Sequence, residues 1–220
     1  MVLNALCLCL DKRKNEWIDL ENQFKNTNIK FHKFIAGDGS DQELVYDHID
    51  DPNPPVQYWG YGREGYKHHH YNAFQCHQKM IQIAKENYWR EVLLLEDDAY
   101  LTDAFFKHFE NSHSVLYYSN FDLAYYGWWI ESLDKQSEEL RQSNDFKIIN
   151  HKGNIGGLHG LLVNHNMYDF ILGLKPVNPV DYQINQYSES ILRAVILPKM
   201  IHVKSMYSMT EGSFFEREKL

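Results

Sequence analysis

Cysteine is scarce in this chain, and positive charge is outweighed by negative. Cys7, Cys9 and Cys76 are an odd set with no CxxC spacing, which excludes a disulfide framework and a thiolate zinc site. Cys7 and Cys9 share one face of an apolar segment and read as buried thiols. They fit a reducing compartment, and a cytoplasmic location is expected. Lys and Arg number 22 against 30 Asp and Glu, a formal charge of -8. Such a balance gives no general attraction to a phosphate backbone, so nucleic acid is excluded as the expected partner. No apolar run reaches the roughly 20 residues of a membrane span. The opening stretch Met1 to Leu10 has no basic residue before it and runs straight into Asp11-Lys12-Arg13-Lys14, so it reads as a strand. Repeats, low-complexity tracts and linkers are also missing, and a single domain over residues 1–220 is expected.

What is present is enough apolar material for a core, 44% of residues, in short runs separated by longer amphipathic stretches. That is the pattern of an α/β domain. Residues 2–10 and 29–35 read as strands, and 13–24 as a helix with Trp17, Leu20 and Phe24 on one face. The turn Ala36-Gly37-Asp38-Gly39-Ser40 follows the second strand. Residues 50–67 carry three prolines and three glycines among aromatics, and read as a long loop. A helix is expected over 71–88, then a strand over 91–95, a helix over 103–116 capped by Thr102, and a strand over 122–129. Residues 131–145 read as a polar surface excursion, 146–150 and 158–164 as short strands, 167–172 and 181–193 as helices, and 199–203 as a last strand.

The sharpest chemical feature follows Glu91-Val92-Leu93-Leu94-Leu95, a run suited to a strand buried on both faces. Next come Glu96-Asp97-Asp98, three carboxylates whose burial is costly without compensation. Ligands of open α/β sheets bind beyond the carboxyl ends of the strands. Clustered carboxylates there suit Mn²⁺ or Mg²⁺, which complete their shell with water and the phosphates of a nucleotide diphosphate. A solvated turn that caps the next helix is the competing reading.

At these residues the chain resembles glycosyltransferase family 25. Leu94-Leu95-Glu96-Asp97-Asp98-Ala99 behind a helix containing His77 is similar to that family's strand ending in Glu-Asp-Asp. Leu10-Asp11-Lys12-Arg13 with Trp17 resembles its opening strand end, Ala36-Gly37-Asp38-Gly39 its Ala-x-Asp-Gly turn, and Pro179-Val180-Asp181 its later Pro-x-Asp segment. Of the family's Cys-x-x-Ser-His only His77 survives, and the loop 50–70 has no counterpart. The resemblance implies a GT-A type fold with a mixed, mostly parallel sheet flanked by helices, a nucleotide-sugar donor, a divalent metal, and inverting transfer to a hydroxyl of a glycan or other acceptor. A UDP-sugar is expected before a GDP-sugar. Asp98 is then the first metal ligand, Glu96 completes or orients the shell, and His202 is a third candidate with His159 as competitor. Asp97 holds the ribose or a metal-bound water. Leu10, Asp11, Arg13 and Asp38 border the nucleotide together with His77, or are plain turn residues. Asp181 is either the base at the acceptor hydroxyl or a helix N-cap. Trp59 and Tyr61 form a lid or acceptor platform, or pin the loop to the domain. Two other readings stay open: a non-catalytic sugar-binding relative and a metal-dependent phosphohydrolase.

Overall fold

The structure, a computed structural model, describes residues 2–10, 13–36, 67–130, 133, 137–176, 178–204, 206–208 and 213–215. The expected α/β architecture is borne out as a large mixed sheet with helices on both faces. β1 (Leu3–Leu10), β2 (Ile29–Ala36), β3 (Glu91–Glu96), β5 (Leu123–Tyr125), β6 (Ser137–Gln142), β7 (Lys147–His151), β8 (Leu161–Asn164) and β9 (Arg193–Leu197) form it. They lie in the order β2-β1-β3-β8-β5-β9-β7-β6. β1 pairs in parallel with β2 and β3, β5 in parallel with β9, and β8 and β7 run against their neighbours. The other strands share one direction, so their carboxyl ends open on one edge.

The side-chain period of two decides how the sheet is covered. Leu93 and Leu95 point into one core with Trp17, Leu20 and Phe24 of α1 (Lys14–Phe24) and Phe105, Phe109 and Leu116 of α3 (Asp103–Tyr117). Val92 and Leu94 point into the other, against Phe74, Ile81 and Ala84 of α2 (Lys67–Glu86) and against α4 (Tyr168–Gly173) and α5 (Val180–Asn185). β3 is therefore buried on both faces, as its unbroken apolar run requires. Thr102 caps α3 by accepting from the Phe105 N–H, as expected from its position before Asp103.

Two expectations are corrected and two are filled in. The strand expected over 122–129 stops at Tyr125, because the Tyr126 carbonyl turns aside to accept from the N–H groups of Met200 and Ile201. The helix expected over 181–193 ends at Asn185, and Arg193 instead begins β9, a buried central strand that the arginine at its head disguised. The excursion 131–145 contains β6, fully exposed and paired only with β7. Finally, the strand near 199–203 is β10 (Ile201–Val203), which joins β4 (Ala99–Leu101) in a separate two-stranded sheet and is followed by the pair β11 (Met206–Ser208) and β12 (Ser213–Phe215).

Candidate functional site

Glu96, Asp97 and Asp98 stand where β3 leaves the sheet, and the chain turns at once into β4. Asp97 faces β1: Oδ2 accepts from the Leu10 N–H at 3.0 Å, and Oδ1 lies 3.0 Å from an Arg13 guanidinium nitrogen. Burial pushes its carboxyl up while Arg13 and the Leu10 N–H pull it down. The two strand ends are thereby tied together, and Leu10, Arg13 and Asp97, all expected at the donor, are brought into one contact.

Glu96 looks toward α2. Its Oε1 lies 3.7 Å from His77 Nε2, and His77 Nδ1 lies 2.7 Å from the Ala73 carbonyl of the preceding turn. Burial drives the His77 imidazole from its ordinary 6.5 down to about 4, against the opposing pull of that carbonyl and of the Asp181 charge. The imidazole is thus neutral at pH 7 and in range of Asp181 across the site. The folded value lies below the unfolded one, so the stability that neutral His77 confers is complete above about pH 6.5 and is lost as pH falls toward 4. The gap corresponds to about 3 kcal/mol. In chelator, the native chain should lose about that much more stability than His77→Gln between pH 7 and pH 4, read from urea midpoints; equal losses would mean His77 does not carry the acid sensitivity.

Asp181 is the second residue of α5, with Pro179 at the cap position, so the N-cap reading is corrected. Its carboxylate instead accepts from the Tyr182 N–H at 2.9 Å and, across the site, from the Gly157 N–H at 3.0 Å. Gly157 has φ +89°, and a Cβ there would lie 2.7 Å from His159 Nδ1 and 2.9 Å from Trp129 Cδ1. Only glycine meets both demands. The turn that holds Asp181 is thus packed against Trp129 and His159, whose rings are 5.5 Å apart. His159 is 1% exposed, a packed histidine in the wall of the site. Lys199 Nζ lies 4.7 Å from the Trp129 ring and 4.8 Å from that of Trp128.

β10 brings His202 back beside the acidic turn. His202 pairs with Tyr100, Val203 with Ala99, and the Lys204 N–H donates to the Asp98 carbonyl at 2.8 Å. Its ring lies 5.7 Å from that of Tyr100. Among the described residues no group of three His, Cys, Asp or Glu side chains stands together as a cation cage. The donor types still fit Mn²⁺ or Mg²⁺, since such ions take one or two carboxylates and fill the rest of the shell from substrate phosphates and water. Asp11, Asp38, Trp59 and Tyr61 lie outside the described residues.

Residues that the sequence reading missed are Trp129, Gly157 and Lys199, together with a strut behind them. Buried Arg193 donates to Asn185 Oδ1 at 2.6 Å and to the Gly153 carbonyl at 2.8 Å, while Asn185 clamps both backbone groups of Ile155 at 3.0 Å. This network fixes the 153–157 turn to α5. Arg193→Met should cost about 1.5–3 kcal/mol in urea unfolding, the range for hydrogen bonds to a charged group; a loss under about 0.5 kcal/mol would deny it the strut role. The doublet Trp128-Trp129 just beyond a buried strand was the available signal.

No family model matches the sequence, and no curated protein matches it. Solved structures with some likeness include A197 from STIV, at 8% identity and TM-score 0.42 over 89% of this chain and 81% of that one. A glycosyltransferase involved in the glycosylation of the major capsid of PBCV-1 has 9% identity and TM-score 0.39 over 86% and 68%. Mouse xyloside xylosyltransferase 1 in its apo form has 11% identity and TM-score 0.39 over 87% and 64%. With TM-scores below 0.5, these likenesses assign neither a family nor an activity to the chain. No helix among the described residues is long and apolar enough to cross a membrane.

Proposed function

We propose that the chain is a metal-dependent glycosyltransferase of the family 25 type, passing a hexose from a UDP-sugar to a hydroxyl of a glycan or other acceptor with inversion. The observation that carries this reading is the placement of Glu96-Asp97-Asp98 at the carboxyl end of β3, a strand buried on both faces, with the Asp181 carboxylate of α5 held by the Gly157 N–H ahead of β8 at the same edge. Asp97 holds the end of β1, which leaves Glu96 and Asp98 as the carboxylates of the motif to bind a cation, with His202 alongside on β10. When bound, Mn²⁺ or Mg²⁺ supplies Lewis-acid stabilisation of charge on the departing nucleoside diphosphate. Arg13 and the end of β1 border the nucleotide. Lys199, held between two tryptophan rings, adds a cation on the far wall. Asp181, fixed by the Gly157 and Tyr182 N–H groups, accepts the proton of the acceptor hydroxyl, and buried His77 is kept neutral behind it.

The chain incubated with UDP-hexoses and Mn²⁺ should release UDP slowly even without an acceptor. Binding of a UDP-sugar without release would assign the chain to the non-catalytic sugar-binding class, and release of inorganic phosphate to the phosphohydrolases. A ligand at about 100 times its dissociation constant adds about 2.7 kcal/mol of stability, so thermal shifts over a set of nucleotide sugars identify the donor.

A further inference from the structure

The His77 ring is oriented by one contact and leaves one atom unused. Its Nδ1 lies 2.7 Å from the Ala73 carbonyl, one turn back on α2. That oxygen only accepts, so the proton of the neutral ring sits on Nδ1 and Nε2 carries a lone pair. Only 4% of the His77 side chain is exposed, and Nε2 has no hydrogen-bond partner. It points at Glu96 Oε1 from 3.7 Å, outside hydrogen-bond range and toward a second acceptor. A buried acceptor nitrogen set against a carboxylate is costly. The pair calls for a group that takes electron density from both.

The span between the two atoms sets the class of that group. A proton on Nε2 would draw the carboxylate to roughly 2.7–2.9 Å, the length of a charge-assisted hydrogen bond. A water giving one proton to each acceptor would hold them roughly 4.4 Å apart, from two bonds of about 2.8 Å at the angle of the water molecule. Two ligands of one divalent ion stand roughly 3.0–3.5 Å apart, from bonds of about 2.1–2.2 Å. The observed 3.7 Å closes to that range by a small turn of Glu96. Its side chain is 34% exposed, so an ion has its way in along the carboxylate although the ring behind is closed to solvent. The other end of the ring agrees: an imidazole that ligates a metal donates its second N–H to a carbonyl or carboxylate, which fixes tautomer and direction. The Ala73 carbonyl does this for His77.

We propose that His77 Nε2 is a direct ligand of the cation held by Glu96 and Asp98, and that it selects a transition ion such as Mn²⁺ over Mg²⁺. The assignment rests on the transferase reading for a cation at the end of β3, and adds to that site a nitrogen donor from α2. Imidazole serves first-row transition ions, whereas Mg²⁺ keeps to oxygen. The full chain, carrying isotopically labelled histidine, is loaded with Mn²⁺ and UDP and read by pulsed EPR, with Mn²⁺ and Mg²⁺ affinities from calorimetry. The bound ion should show coupling to a histidine nitrogen that persists in His202→Gln and vanishes in His77→Gln. In His77→Gln the Mn²⁺ affinity should fall about tenfold or more, since even an outer partner of a ligand contributes that much, while Mg²⁺ affinity stays within a few-fold of native. Bound Mn²⁺ without histidine coupling in the native chain would overturn the proposal. So would coupling that survives in His77→Gln or disappears in His202→Gln, or equal losses for the two ions. The labelled native chain and His202→Gln decide the question even where His77→Gln does not fold. In each of these cases the cation reading stands if Asp98→Ala abolishes Mn²⁺ binding; a native chain that binds no Mn²⁺ with UDP present would overturn that reading and the proposal together.

Discussion

Asp98→Ala is expected to abolish Mn²⁺-dependent release of UDP from a UDP-hexose while the chain stays folded. In the proposed mechanism a cation held at the end of β3 would supply several kcal/mol of stabilisation to charge on the leaving diphosphate. At about 1.4 kcal/mol per factor of ten, removing its first ligand should cost at least about 10²–10³ in turnover. The backbone contact that docks β10 survives the change, because the Asp98 carbonyl and not its side chain receives the Lys204 N–H. Asp97→Ala is the instructive contrast. That substitution frees the end of β1 from β3 by removing the acceptor for Leu10 and Arg13, so lost activity there is expected to come with lost stability. Parallel urea curves and UDP assays on both variants separate the two roles. An Asp98→Ala chain with native turnover would remove the metal from the mechanism.

The contrast between adjacent aspartates marks the limit of what the sequence displays. The run Glu91 to Leu95 announces a strand buried on both faces, a local pattern that holds for the structure, and the carboxylates after it stand at that strand's end. Which carboxylate turns inward depends on where β1 ends, a contact spanning 87 residues that no local pattern encodes. The same holds for β9. Arg193-Ala194-Val195-Ile196-Leu197 is a strand in composition, yet its leading charge belongs to a buried strut whose partners, Asn185 and Gly153, lie in α5 and a turn. Asp122 to Trp129 misleads in the other direction. Its apolar run continues past Tyr125, but the Tyr126 carbonyl is taken by the N–H groups of Met200 and Ile201, so the chain leaves the sheet there, and Gly127 then passes so close to His159 that a Cβ would lie 2.5 Å from its ring. His202 was legible as a returning histidine, but its entry into a separate two-stranded sheet beside Asp98 follows from pairing alone.

The sheet directs its chemistry by strand polarity. Carboxyl ends of β1, β3 and β5 deliver Leu10, Glu96 and Tyr125 to one edge, and the antiparallel β8 begins there with the turn 156–160, so backbone N–H groups of a glycine turn face side chains from parallel strands. That crossing places the Gly157 N–H opposite Asp181. The amino ends carry a different chemistry, in which Glu91 and His113 pair beneath aromatic residues. The two edges are separated by the length of β3, which allows each to be altered without disturbing the other.

Asp181→Asn is expected to lower transfer to an acceptor by about 10²-fold or more, the usual contribution of a positioned general base, with donor binding retained. The amide keeps one oxygen for either the Gly157 or the Tyr182 N–H but presents an N–H₂ group to the other. One hydrogen bond of about 0.5–1.5 kcal/mol is therefore forfeited, too little to unfold a domain of this size. The two roles of the carboxylate then separate in the kinetics. If Asp181 takes the acceptor proton, kcat for transfer collapses while the thermal shift given by UDP and Mn²⁺ stays native, because the metal and nucleotide contacts proposed above lie at the ends of β1 and β3. If it only secures the Gly157 turn, the urea midpoint falls by that one hydrogen bond and kcat remains within a few-fold of native. A native kcat in the folded variant would reduce Asp181 to a clamp between α5 and the 153–157 turn, and the base would then have to be supplied by another side chain at the same edge of the sheet.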